Sequence, residues 1–143
     1  EGGPPHRATL LEPPPDADPA APAYQEAQAE IIRGIRAVSE LDARPAAPGW
    51  IAFSCHSPSM ARWVADAIIE ENVAARAEGS EVLVPVGARF TLKGEIKNVI
   101  TAVAKTTHYW RDHLANEVKQ ALAMQERLAA VGARIKGWFR RGG

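Results

Sequence analysis

The stretch Trp50-Ile51-Ala52-Phe53-Ser54-Cys55-His56-Ser57-Pro58 decides the fold class, because its periodicity changes partway along. Residues 50–55 combine aromatic and β-branched side chains in a short run, which predicts a strand. Ser57-Pro58 then supplies an N-cap and a first-turn proline, and residues 58–77 continue as a helix that stops at Gly79. Met60, Trp63, Val64, Ala67, Ile68 and Ala75 form one broad apolar face of that helix. So apolar a helix belongs in the centre of a domain or against a partner.

Working outward, Tyr24, Ala27, Ile31, Ile35 and Val38 recur at helical spacing before the helix-breaking Arg44-Pro45, which predicts a helix over residues 23–41. On the other side, residues 81–86 and 89–93 read as a hairpin joined through Gly87-Ala88. Residues 95–114 carry Ile96, Val99, Ile100, Val103, Thr107, Trp110 and Leu114 on one side, an amphipathic helix. Ala121, Met124, Leu128, Val131, Ile135 and Trp138 follow at alternating steps of three and four, as in a coiled-coil seam. About three heptads is marginal for an independent coil, so this last helix is expected to pack along the body. The fold class is therefore α+β: a small three-stranded sheet, a strand and then a hairpin, covered by about four helices in the order α-β-α-β-β-α-α.

Seven of the eleven prolines fall within residues 1–22, and such a stretch has too little apolar surface to offset its ordering entropy. It reads as a disordered Pro/Ala-rich tail ahead of a single domain over residues 23–143. Leu10 and Leu11 are its only sizeable apolar residues and the pair expected to dock if any of it does.

The chain of 143 residues has 17 Lys plus Arg against 17 Asp plus Glu, so no global field draws it to nucleic acid or anionic lipid. The charge is unevenly spread. Residues 1–50 carry eight acids and four bases, and residues 111–143 carry three acids and seven bases. Any polyanion contact is therefore expected near the C-terminus. One cysteine excludes an internal disulfide framework and fits a reducing compartment, so the expected location is the cytoplasm. No run approaches the ~18 apolar residues of a membrane span.

Chemistry concentrates at Ser54-Cys55-His56-Ser57-Pro58, where a strand end meets a helix N-terminus. Backbone N–H groups and the helix dipole there can bind an anion or activate a thiol, which makes Cys55 and His56 the candidate nucleophile and base. The plainer reading is a buried cysteine at a strand end. The run Cys-His-Ser-Pro-Ser-Met-Ala superficially resembles the phosphate loop of low-molecular-weight phosphotyrosine phosphatases, but six residues separate Cys55 from Arg62 and no loop glycine intervenes. No activity carries over.

Ser54, Ser57, Asn72, Lys97, Lys105 and His108 are the candidate ligand-binding residues. Lys97, Thr101, Lys105, His108 and Asp112 make a polar row on the 95–114 helix, and Glu71 and Asn72 interrupt an apolar helix where a polar group needs a partner. No metal site is expected: His108 and His113 are five apart, not the four that places two imidazoles on one helical face. No cofactor is implied by any motif. Trp138, Phe139, Arg140 and Arg141 place two aromatics beside two arginines and are the candidate partner contact.

These features favour a non-catalytic binding or assembly module whose partner is a second copy or another protein. A small-ligand, anion or metal-cofactor binding protein or enzyme, with its site at residues 54–58 and the 95–114 helix, is the alternative. Nucleic-acid binding through residues 111–143 is the third reading.

Overall fold

The computed structural model describes the backbone of residues 10–142 and the side chains of residues 10–132. Two compact units divide the chain, Glu1–Trp110 and Arg111–Gly143. The fold is α+β. In chain order the elements are α1 (Pro22–Ser39), β1 (Ala43–Pro45), β2 (Trp50–Ser54), α2 (Pro58–Glu70), β3 (Arg76–Glu78), β4 (Glu81–Pro85) and α3 (Lys97–Gly142).

The sheet is antiparallel with strand order β1-β2-β4-β3. It thus has four strands where three were expected, and the described residues form three helices where four were expected. Both added strands are three residues long, too short to show alternation. Ala43-Arg44-Pro45 becomes an edge strand, and Pro45, opposite Ile51, occupies a non-hydrogen-bonded position where its missing N–H costs nothing. The expected 81–86/89–93 hairpin is replaced by β3–β4. Gly79, at φ +60°, opens a two-residue turn between Glu78 and Glu81 that only a left-handed residue makes easily.

The helix expected over 58–77 ends at Glu70 instead. Asn72 adopts φ +66° and its N–H donates to the Ile69 carbonyl, so the polar pair Glu71-Asn72 terminates the helix. Val73 then pairs with Leu11 in a parallel bridge, with the Leu11 N–H donating to the Asn72 carbonyl and the Ala74 N–H to the Leu11 carbonyl, each at 2.8 Å. Part of the stretch read as tail, residues 10–21, is therefore placed by specific contacts, and Leu11 is the residue that docks.

Ile51 and Phe53 of β2 and Val82 and Val84 of β4 belong to one core with Tyr24, Ile31 and Ile35 of α1, Val64 and Ile68 of α2, and Val99 and Val103 of α3. The alternate strand residues, Ala52 and Leu83, fall outside that cluster and so face the other side of the sheet. There Arg44 pairs with Glu81, and the Arg76 guanidinium lies 4.7 Å from the Trp50 ring centroid. Their long side chains lie across this face of the sheet.

Thr91 starts the run into α3. Its hydroxyl accepts from the Gly94 N–H at 3.1 Å, and Glu95 accepts from the Thr91 N–H at 2.8 Å. The turn is one residue wider than an α turn, with the Ile96 N–H donating to the Thr91 carbonyl, and Gly94 takes the non-helical backbone this requires. From Lys97 onward α3 is continuous, so the two expected helices, 95–114 and a separate C-terminal one, are one. No proline interrupts residues 97–142, and nothing in the sequence breaks the helix near Leu114.

Candidate functional site

The Ser54–Pro58 turn takes the form the sequence suggested, a strand running into a capped helix. Ser57 is the N-cap of α2 and its hydroxyl accepts from the Met60 N–H at 3.1 Å. The His56 N–H points at the Met60 sulfur at 3.5 Å, and the Cys55 N–H donates to the Ser80 carbonyl at 2.7 Å. Of the first-turn N–H groups, that of Met60 is thus taken by the Ser57 hydroxyl of its own chain.

Cys55 is 8% exposed and joins the hydrophobic core. Burial pushes its thiol up to about 11 from an ordinary value of 9.0. A nucleophilic cysteine needs the opposite shift, because the thiolate is the reacting species. The candidate nucleophile is therefore a core residue, and its pKa moves opposite to the lowering that a reactive thiol at this turn would need. His56 is exposed beside it.

The remaining candidates lie apart from this turn. Asn72 spends its backbone on the chain reversal after α2. Lys105 donates to Glu71 at 2.8 Å, and that hydrogen bond raises its pKa. Glu71 and Asn72 follow the C-terminal end of α2, whereas Ser54 and Ser57 precede its N-terminus. The thirteen residues between span roughly 20 Å. Lys97, Lys105 and His108 are all exposed, so the polar row of α3 is a solvated face. Among the described residues no cluster of three His, Cys, Asp or Glu side chains can hold a metal ion. Trp138, Phe139, Arg140 and Arg141 lie outside the residues whose side chains are described.

Other features went unread in the sequence. A groove of about 560 Å³ separates α1 from β1 and is lined by Ile32, Arg33, Arg36, Arg44 and Pro45. Each guanidinium on it is engaged: Arg33 with Glu30, Arg36 with the Ala43 carbonyl at 2.7 Å, and Arg44 with Glu81. A second groove of about 450 Å³ runs between α1 and residues 88–96, with Glu26 and Glu30 facing Phe90, Leu92 and Ile96. Arg44 had been read only as the end of a helix, and its strand position follows from a pairing that sequence spacing does not encode.

The clearest surface feature is on α3. Leu114, Val118, Leu122, Met124, Leu128 and Val131 are all exposed, Leu128 by 65%. Leu114 was expected on the buried side of an amphipathic helix, but at 46% exposure it belongs to this stripe. Leu114, Ala115 and Val118 line a shallow apolar groove between Arg111 and Lys119. Among the described residues no helix is long and apolar enough to cross a membrane.

The fold has counterparts among solved structures. A transaminase with L-Ala is similar with a TM-score of 0.54 and 10% identity, over 64% of this chain and 25% of its own. A transaminase from a study of directed evolution by ancestral reconstruction gives 0.51 and 16% identity, over 67% of this chain and 24% of its own. An acetylornithine aminotransferase from Elizabethkingia anophelis gives 0.46 and 16%, over 61% and 24%. This chain spans about a quarter of the length of each. At these identities the first two show a shared fold and nothing of its chemistry. No family model matches the chain, and no curated protein matches its sequence.

Proposed function

We propose that this chain is a non-catalytic assembly module that works through the apolar stripe of α3. One observation carries the reading: six large apolar side chains between Leu114 and Val131 line one helix and remain between 46% and 65% exposed. Contiguous apolar surface of this kind marks an interaction site. The core position of Cys55 supports the same reading, because a buried thiol is poorly placed for covalent chemistry. A reducing compartment such as the cytoplasm suits a chain with one buried thiol.

Sedimentation velocity on the full chain, purified from its host, tests this. The expected result is a mass above one chain, either a multiple or a defined complex, which falls to the single-chain mass in Leu128→Glu. That variant should leave the melting of residues 10–110 unchanged, since its side chain lies on an exposed helical face. A chain that sediments alone at high concentration and retains no protein overturns the reading.

A further inference from the structure

We propose that the α3 stripe is covered by the same stripe of a second copy of this chain, the two helices running antiparallel. This rests on the assembly reading above and names its partner. Leu114, Ala121 and Leu128 recur every seven residues, and Met124 and Val131 fill the intervening core positions of the repeat. The matching position one heptad earlier is Glu117, an exposed carboxylate in line with the apolar stripe.

Glu117 decides the direction. In a parallel pair each core residue meets its own counterpart, which would press two carboxylates together in the seam. An antiparallel pair centred between residues 122 and 123 separates them. It sets Leu114 level with Val131 of the second copy, and Ala121 level with its Met124. Glu117 is then level with Leu128 of the second copy and next to its Arg127, twice over by symmetry. Neither Glu117 nor Arg127 has an ion-pair partner among the described residues.

The wider charge distribution agrees. Residues 111–126 carry three acids and two bases, and residues 127–143 carry five bases and no acid. Parallel alignment would stack the two basic halves, whereas antiparallel alignment sets residues 127–134, with two bases and no acid, against residues 111–118, with two acids and one base. The centre is also constrained. Moving the centre four or five residues toward the C-terminus would bring Arg127 against Arg127 of the second copy.

Two measurements on the full chain test the arrangement. In a Cys55→Ala background, Leu114→Cys and Val131→Cys proteins are mixed and treated with a short bismaleimide. The expected product joins position 114 to position 131, with no 114–114 or 131–131 product. Same-position products, or a sedimenting dimer without any cross-link, overturn the antiparallel register while leaving the assembly reading standing. A chain that is monomeric and partner-free overturns both.

The second measurement is a charge exchange read by sedimentation. Glu117→Lys and Arg127→Glu should each weaken the dimer by roughly tenfold in Kd, and the double exchange should restore it. Ten residues separate the two on one helix, about 15 Å, so rescue cannot come from a contact within one copy. Two weak single variants without rescue overturn the proposal.

Discussion

α1 and the outer part of α3 carry comparable apolar stripes with opposite fates. Along α1, Tyr24, Ile31 and Ile35 are each at most 1% exposed, because the sheet and the start of α3 close over them. Along residues 114–131, side chains of the same kind stay half exposed. Helical periodicity specifies which face is apolar, and it is silent on what covers that face. α1 finds its cover within the unit Glu1–Trp110.

The largest effect expected from this contrast is on stability. Ile31→Ala should cost about 2–5 kcal/mol by emptying a fully buried site, whereas Leu128→Ala should leave the melting of residues 10–110 within about 0.5 kcal/mol. Paired thermal melts of the two variants check this, and equal losses would erase the distinction between the stripes.

Next comes Cys55, whose folded thiol is raised to about 11 against an unfolded value near 9.0. Its contribution to stability is full below about pH 9. It is lost as pH rises towards 11, because the unfolded chain ionises first and the folding equilibrium falls by at most about tenfold per unit. Urea midpoints between pH 8 and 11 should slope less in Cys55→Ala than in the parent. The folded thiol should also resist alkylation at neutral pH and react once the chain is unfolded.

A smaller effect is expected where α1 meets α3. A Cβ built on Gly34 would lie 2.2 Å from Ile100 Cδ1 and 2.7 Å from its Cγ1, so Gly34→Ala forces the Ile100 side chain aside. A cost of about 1–3 kcal/mol is expected, and the Gly34→Ala/Ile100→Ala pair should lose less than the sum of its parts in a double-mutant cycle. Additive losses would mean that the helices do not meet there.

The smallest is Ser57→Ala, about 1 kcal/mol from loss of the α2 cap. Ser57→Asp should recover most of it, as guanidinium unfolding can show.

Much of the unit Glu1–Trp110 was legible because its signals are local. Ser57-Pro58 marked the start of α2, and the spacing of Tyr24 to Ile35 marked the buried face of α1. The misread elements depend on partners distant in sequence or on backbone sign. β1 and β3 are strands only because β2 and β4 lie beside them, and the end of α2 rests on the left-handed backbone of Asn72. The α3 seam was visible as a pattern, but its exposure was not, since spacing alone cannot distinguish a covered stripe from an open one. At the Ser54–Pro58 turn the limit of the sequence is of another kind. A cysteine at a strand end looks the same in sequence whether it faces a cleft or the core, and the core position of Cys55 is a property of the packing.

One contact bears on how this protein ages in a crowded cell. The Ser54–Asp42 and Ala46–Trp50 hydrogen bonds fix the phase of the β1–β2 ladder, so the Ala43 carbonyl must point off the free edge of the sheet. The Arg36 guanidinium occupies that carbonyl. A bare edge would be a template onto which another strand could add, the first step toward irreversible fibre growth. By plugging it with a charged side chain, the molecule hinders the addition of a further strand at its β1 edge.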